Sequence, residues 1–253
     1  MTYKIAVDNG HGIETAGKRT PPLLADIVIG GKVVRRKGET IHEKEWNRPV
    51  ADYLITALRR CGFDVVDCCP TDKDIPLADR YNKANTQKAN LFVSKHFNAA
   101  TGNWWTPGYT LTFTCMANTA TYKESKTAAA LVQAEIAKIN GRKNNGVQDG
   151  KAYGVGNLAV LANTTMPAFL TEAGFMDVWE DAKTMLDPSA QQADAEATCR
   201  GICQYFKVNY VAATAEPPQW YRVQVGAFSS KENAEKQLAS LVAAGFSDAY
   251  ITK

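Results

Sequence analysis

Phe63-Asp-Val-Val-Asp67, Leu77-Ala-Asp-Arg80-Tyr-Asn-Lys-Ala-Asn85-Thr-Gln-Lys88 and Leu91-Phe-Val-Ser94 follow one another closely in the chain. The first and third are short runs rich in apolar residues. The middle one is amphipathic, so the three read as strand, helix and strand. The alternation continues outward in both directions. Lys4–Asp8 is a strand, a helix precedes Cys61, and Tyr109–Cys115 is a further strand. A long helix over Tyr122–Asn140, a Gly/Asn-rich loop at Gly141–Gly156, a strand at Pro167–Thr171 and a final helix over Pro188–Val208 follow. Alternation of this kind predicts an α/β fold, a single mixed, mostly parallel sheet flanked by helices.

The pattern closes near residue 210, giving one expected domain over 1–210. Residues 211–218, Val-Ala-Ala-Thr-Ala-Glu-Pro-Pro, are small, polar and proline-ended, as an extended linker is. Beyond it, Trp220–Phe228 alternates as a strand. Lys231–Ala244 carries Ala234, Leu238, Leu241 and Val242 at helical spacing, and Ala249–Ile251 reads as another strand. Residues 219–253 thus form a small βαβ module, half of a ferredoxin-like unit and too short to be comfortably stable alone. The basic run Lys32-Val-Val-Arg35-Arg36-Lys37 follows Gly30-Gly31, the signature of a solvated β-hairpin.

With 253 residues, 45% hydrophobic and 22% charged, the chain has the composition of an ordinary globular protein. Its formal net charge of +3 demands neither a nucleic acid nor a membrane surface as partner, and leaves an anionic polymer acceptable. No apolar stretch approaches a membrane span. The segment Met1-Thr-Tyr-Lys-Ile-Ala-Val-Asp-Asn-Gly-His-Gly12 lacks the charged and apolar regions of a signal peptide, so synthesis in the cytoplasm is expected. The six cysteines, Cys61, Cys68, Cys69, Cys115, Cys199 and Cys203, form no CxxC and read as reduced structural thiols. Cys199 and Cys203 are expected to share a helix face and pack there.

Of only three histidines, two occupy similar contexts: His11 in Val7-Asp-Asn-Gly-His11-Gly and His96 in Val93-Ser-Lys-His96-Phe-Asn98. Each is expected just beyond a buried strand, where open α/β sheets form their binding crevice. Phe169-Leu-Thr-Glu172-Ala-Gly places a carboxylate at the end of another apolar run. Two imidazoles beside a free carboxylate suit metal-assisted hydrolysis, in which zinc lowers the pKa of water and the carboxylate takes its proton. Catalytic zinc needs a third protein ligand, and Glu39–Glu45 offers Glu39, His42, Glu43 and Glu45. Helical phase favours Glu43, since Val50 and Leu54 lie seven and eleven residues on. Pro49, however, belongs in a first turn, which starts the helix near Trp46 and leaves Glu45 and His42 open.

These motifs resemble those of the zinc-dependent N-acetylmuramoyl-L-alanine amidases, the amidase type 3 family, over roughly residues 3–207. The resemblance runs through Asp8-Asn-Gly-His11-Gly, Glu43-Lys-Glu-Trp-Asn47, Leu77-Ala-Asp-Arg80-Tyr-Asn-Lys-Ala-Asn85, Leu91-Phe-Val-Ser-Lys-His96-Phe-Asn98-Ala and Pro167-Ala-Phe-Leu-Thr-Glu172-Ala-Gly-Phe175. It implies one catalytic zinc ion held by His11, Glu43 and His96, with Glu172 as the catalytic glutamate and Glu45 the fallback ligand. The implied reaction cleaves the amide between N-acetylmuramic acid and L-alanine in bacterial peptidoglycan. Arg80 and Asn85 match as well and read as scaffold. The interval from His11 to Glu43 is longer than in many members. The tail is similar to a sporulation-related repeat through Tyr221-Arg-Val-Gln224-Val-Gly-Ala-Phe228, Asn233-Ala234 and Gly245-Phe246. That likeness implies glycan binding, with Val225 facing the helix and Gln224 on the open sheet face. Only half the module is present, so either two chains complete the sheet as a homodimer or the tail is a degenerate remnant, and unsatisfied strand edges favour the first. The family's sporulation autolysins and phage endolysins both reach the wall without a signal peptide, by lysis or by release through holin openings.

Overall fold

The computed structural model describes residues 2–106, 109–114, 119–139, 141–149, 158–213, 225–244, 246 and 249–251. The chain divides into two compact units, Met1–Ala212 and Ala213–Lys253. The first contains β1 (Lys4–Asn9), β2 (Ile27–Ile29), β3 (Lys32–Arg35), α1 (Lys44–Arg60), β4 (Asp64–Asp67), α2 (Leu77–Thr86), β5 (Leu91–Asn98) and β6 (Tyr109–Thr114). It continues through α3 (Tyr122–Ile139), β7 (Lys143–Asp149), α4 (Ala159–Ala162), β8 (Ala168–Phe175), α5 (Trp179–Ala182) and α6 (Pro188–Phe206).

Six strands form one sheet in the order β4-β1-β5-β8-β6-β7. The first four run parallel, β6 is antiparallel to β8, and β7 is parallel to β6. The sheet is mixed and mostly parallel, as the sequence predicts. Alternation along each strand divides the core between its two faces. Ile5, Val7, Leu91, Val93 and Phe169 point toward α1, α3 and α6. Ala6, Phe92, Ala168 and Leu170 point the other way, toward α2 and α4. Burial on both faces explains the unbroken apolar runs.

Helix α1 presents Trp46, Val50, Leu54 and Leu58 on one stripe, all at or below 2% exposure. Truncating Leu54 to alanine would cost about 2–5 kcal/mol. Asp187 caps α6, its carboxylate accepting the Ser189 N–H at 2.9 Å, and Pro188 occupies the first turn. Where α6 crosses α3, a Cβ on Gly201 would stand 2.5 Å from Val132 Cα, so glycine permits the close approach. From β5, buried Lys95 reaches Asp194 of α6 at 2.6 Å and tethers helix to sheet.

Several boundaries differ from the sequence reading. Strands β5 and β8 run on through His96 and Glu172, which are paired in register, so both residues lie in the sheet and not beyond it. The expected loop after Gly141 contains edge strand β7. It pairs on one side only and needs little apolar content, which is why Lys-Asn-Asn-Gly reads as loop. Residues 150–156 of that expected loop lie outside the described residues. Helix α1 begins at Lys44, with Pro49 inside it. The hairpin is present, β2 against β3, with Gly30 and Gly31 at positive φ between them.

In the second unit, α7 (Lys231–Ala243) forms as the spacing predicts and buries no residue. Val225–Phe228 and Ala249–Ile251 belong to no strand, and Val225 is 53% exposed, not packed against the helix. Gln224 and the first part of the expected strand lie outside the described residues. The expected linker differs at its start: Val211 is bound to the first unit, its carbonyl accepting from Arg60 Nε at 2.9 Å.

Candidate metal centre

The carboxyl ends of β1, β5 and β8 lie side by side, and the start of α1 faces them. Just past β1, His11 takes the left-handed conformation at φ 59°, uncommon for a residue bearing a Cβ. Lys44 holds this turn. Its buried ammonium donates to the Asn9 side-chain oxygen and, at 3.0 Å, to the His11 carbonyl. Gly10 is needed for a different reason. A Cβ there would fall 1.9 Å from His96 Cε1, so the His96 ring occupies the space a side chain would take.

Glu43 stands at the N-cap of α1 in helical conformation, φ −56° and ψ −35°, so the phase argument extends back to it. Its carboxylate lies between the two imidazoles, Oε1 at 2.9 Å from His96 Nδ1 and Oε2 at 3.3 Å from His11 Nε2. The rings meet nearly edge-on, with centroids 5.0 Å apart. Oε1 also accepts the Phe97 N–H at 3.1 Å and the Asn47 amide at 3.0 Å, while Asn47 reaches the Gly10 carbonyl at 3.1 Å. Glu45 is turned elsewhere, paired with Arg35 and accepting the His42 N–H at 2.8 Å. His42 pairs through its backbone with Arg19 and does not join the cluster. The candidates therefore separate: one donor atom each from His11, Glu43 and His96 lie within 4.8 Å of one another, a grouping that can hold a metal ion.

Electrostatics divides the two carboxylates. Burial alone would raise Glu43, but the His96 hydrogen bond, both imidazoles and Asn47 outweigh it and bring its pKa down to about 2. Glu172 goes the other way. Burial and the nearby Glu43 charge push it well above the usual carboxylate range, against the pull of Lys18 and Lys95. Its Oε2 is shielded from water and has no hydrogen-bond partner among the described residues. His11 is lowered to about 4, chiefly by burial, so its ring is neutral and a ready donor at pH 7.

Beneath the cluster, Arg80 is 1% exposed and binds Asp8 at 3.2 Å, the Asn9 carbonyl at 3.0 Å, the Ile75 carbonyl at 2.7 Å and Asp74 at 2.7 Å. It locks the end of β1 to α2, the scaffold part read for it. Asn85 likewise binds the Asn163 carbonyl and Thr165. Beside β5, Asp177 accepts the Ala100, Thr101 and Gly102 N–H groups on Oδ2 and Trp105 Nε1 on Oδ1, which fixes the loop after His96. Sequence reasoning missed Lys44, Asn47 and Gly10 as supports. The four-residue spacing of Glu43 and Asn47 on one helix was the available signal for the second.

Known proteins resemble this chain in sequence and fold. The sequence profile of the family described as N-acetylmuramoyl-L-alanine amidase matches residues 5–204, and that of the SPOR domain matches residues 188–253, beginning within α6. A sporulation-specific N-acetylmuramoyl-L-alanine amidase of Bacillus subtilis is 29% identical over 91% of this chain and 84% of its own length. The endolysin of Bacillus phage SPP1 is 32% identical over 86% of this chain and 71% of its own. The amidase CwlM of Bacillus licheniformis is 31% identical, and the chain spans 62% of that protein's length. Among solved structures, the catalytic domain of the amidase CwlV from Bacillus (Paenibacillus) polymyxa superposes with a TM-score of 0.64 at 25% identity, covering 82% of this chain and all of that one. An N-acetylmuramoyl-L-alanine amidase from Clostridium difficile 630 gives 0.64 at 26% identity, covering 81% and 97%. By fold, and by sequence over residues 5–204, the chain belongs to the N-acetylmuramoyl-L-alanine amidase family.

Proposed function

We propose that the first unit hydrolyses the amide between N-acetylmuramic acid and L-alanine of peptidoglycan, with one zinc ion held by His11, Glu43 and His96 and with Glu172 as general base. The observation that carries this reading is the two-nitrogen, one-oxygen cluster. Four donors around zinc at about 2.0–2.1 Å stand about 3.3 Å apart. The 3.3 Å contact of His11 Nε2 with Glu43 Oε2 is close to that edge. When bound, zinc supplies Lewis-acid polarisation of the scissile carbonyl and acidifies water.

The chain's own groups do the rest. Glu43 is held anionic and the His11 imidazole neutral, the protonation states ligation requires. Glu172 offers an unpaired oxygen at the end of β8, in register with His96. It takes the proton of the attacking water and returns it to the leaving L-alanine nitrogen. A cation at the cluster would offset the Glu43 charge, the second of the two effects, after burial, that raise Glu172. The second unit is assigned to wall glycan, supported by the SPOR match, with Gln224 as a contact.

Product analysis tests the reaction. Purified wall digested by the full chain is expected to yield new L-alanine amino termini and unsubstituted muramic acid, whereas termini at other residues would refute the assignment. Glu172→Gln is expected to keep its metal and lose about 10²–10⁴-fold in rate, the range of general-base contributions. Wild-type turnover in that variant would remove Glu172 from the mechanism. Gln224→Ala should lower sedimentation with wall sacculi without changing turnover of soluble fragments.

A further inference from the structure

The sequence reading expects Cys199 and Cys203 to pack together on α6, and the structure adds Cys61 from the C-cap of α1. The three sulfurs lie within 4.8 Å of one another, and Cys199 Sγ is 3.7 Å from Cys61 Sγ. All three residues are buried, at 6%, 0% and 1% exposure. Sulfurs ligating one zinc-sized ion at about 2.3 Å stand about 3.8 Å apart in tetrahedral geometry. The observed spacing already meets that for one edge. Hydrophobic packing alone does not require three thiols from two helices to converge.

Two groups outside the cluster face it. The Val211 N–H donates to Cys61 Sγ at 3.3 Å, the kind of backbone donor that supports a charged sulfur ligand. Next in sequence to Cys61, Arg60 places a guanidinium near the cluster, held by Glu196 at 2.8 Å and 2.6 Å. We propose that Cys61, Cys199 and Cys203 form a second metal site, specific for a soft, thiophilic d¹⁰ cation and separate from the His11–Glu43–His96 cluster. Binding forms three metal–sulfur bonds and releases the thiol protons to solvent. The donor set selects against hard ions such as magnesium or calcium, because it offers sulfur alone. Val211 closes the site two residues before the second unit begins, so occupancy also fixes the chain at that point.

The test titrates cadmium chloride into the full chain after reduction and chelator dialysis. Wild type is expected to take two ions per chain, one of them giving a thiolate-to-metal absorption band in the ultraviolet and a sulfur-ligated resonance in the cadmium NMR spectrum. His11→Ala should keep the band and that resonance and lose the other ion. Cys61→Ser, Cys199→Ser and Cys203→Ser, each checked for folding by circular dichroism, should lose the band while retaining the ion at the histidine cluster. Uptake of one ion without a band in folded wild type would overturn the proposal. A band that survives in all three serine variants would overturn it too, since the ligands would then lie elsewhere. Absence of the ion from the histidine cluster with the band intact would sink the zinc reading above and leave this one standing.

Discussion

Replacing Gly10 with alanine tests the metal centre without touching any proposed ligand. The added Cβ would lie 1.9 Å from His96 Cε1 and 2.4 Å from both ring nitrogens, whereas real contacts do not fall below 3.0 Å. The ring must therefore retreat by about 1 Å at the least, or rotate away from the cluster. Retreat by that amount breaks the 2.9 Å contact of His96 Nδ1 with Glu43. A 1 Å misplacement of a positioned group costs on the order of 10²-fold in rate, and removing one of three protein ligands is at least as severe for metal retention. Gly10 also lies at the turn where its N–H donates to the Lys95 carbonyl at 3.0 Å, and alanine leaves that bond intact. Folding should therefore survive while the site does not. The assay pairs metal content after gel filtration with clearing of purified wall, and thermal unfolding serves as the control. Metal stoichiometry and clearing equal to wild type would show that the His96 position is immaterial, and the ligand assignment would fail with it.

Other perturbations separate scaffold from chemistry. Arg80→Met leaves the fully buried Asp8 side chain without its guanidinium partner, which should cost about 3–5 kcal/mol and lower the melting temperature by about 10 °C for a unit of this size; an unchanged melting temperature would deny the pair its structural part. Asp177→Asn retains one acceptor oxygen where Asp177 uses two, so the loop at 100–105 should loosen, seen as faster amide exchange at Ala100–Gly102. The metal-free protein should lose stability as pH falls from about 6.5 to about 4, because His11 binds its proton more weakly folded than unfolded; a melting temperature flat between pH 7 and pH 4 would contradict the burial of that ring.

Most of the sheet was legible because parallel strands covered on both faces must be apolar throughout, as Leu91–Val93 and Phe169–Leu170 are. What escaped was the polar part of the same sheet. Lys143–Asp149 pairs along one edge only and carries no apolar stripe to detect. The functional ends of β5 and β8 were placed one strand-end too late, since His96 and Glu172 look like loop residues while their backbones stay in the ladder. At the site, His11, His96 and Glu172 stood out by position after apolar runs. Glu43 could not be separated from Glu45 without knowing where α1 starts and that Arg35 of the hairpin claims Glu45. Lys44 and Gly10 act through groups distant in sequence or through space left empty, and neither leaves a pattern in one chain.

The two glutamates show why this topology suits hydrolysis. Glu43 arrives from a helix start, and the same helix supplies Asn47 one turn on, so its charge is met by an amide, a backbone N–H and two rings. Glu172 arrives from a strand between β5 and β6, where ladder bonds consume the backbone donors and none remains for its side chain. The helix-borne carboxylate is thereby brought below the usual range, and the buried, underpaired strand-borne one is pushed well above it. Sites that need a ligand and a base separate their carboxylates in this way. Exchanging the two roles would require Glu172 to find donors that the sheet has already spent.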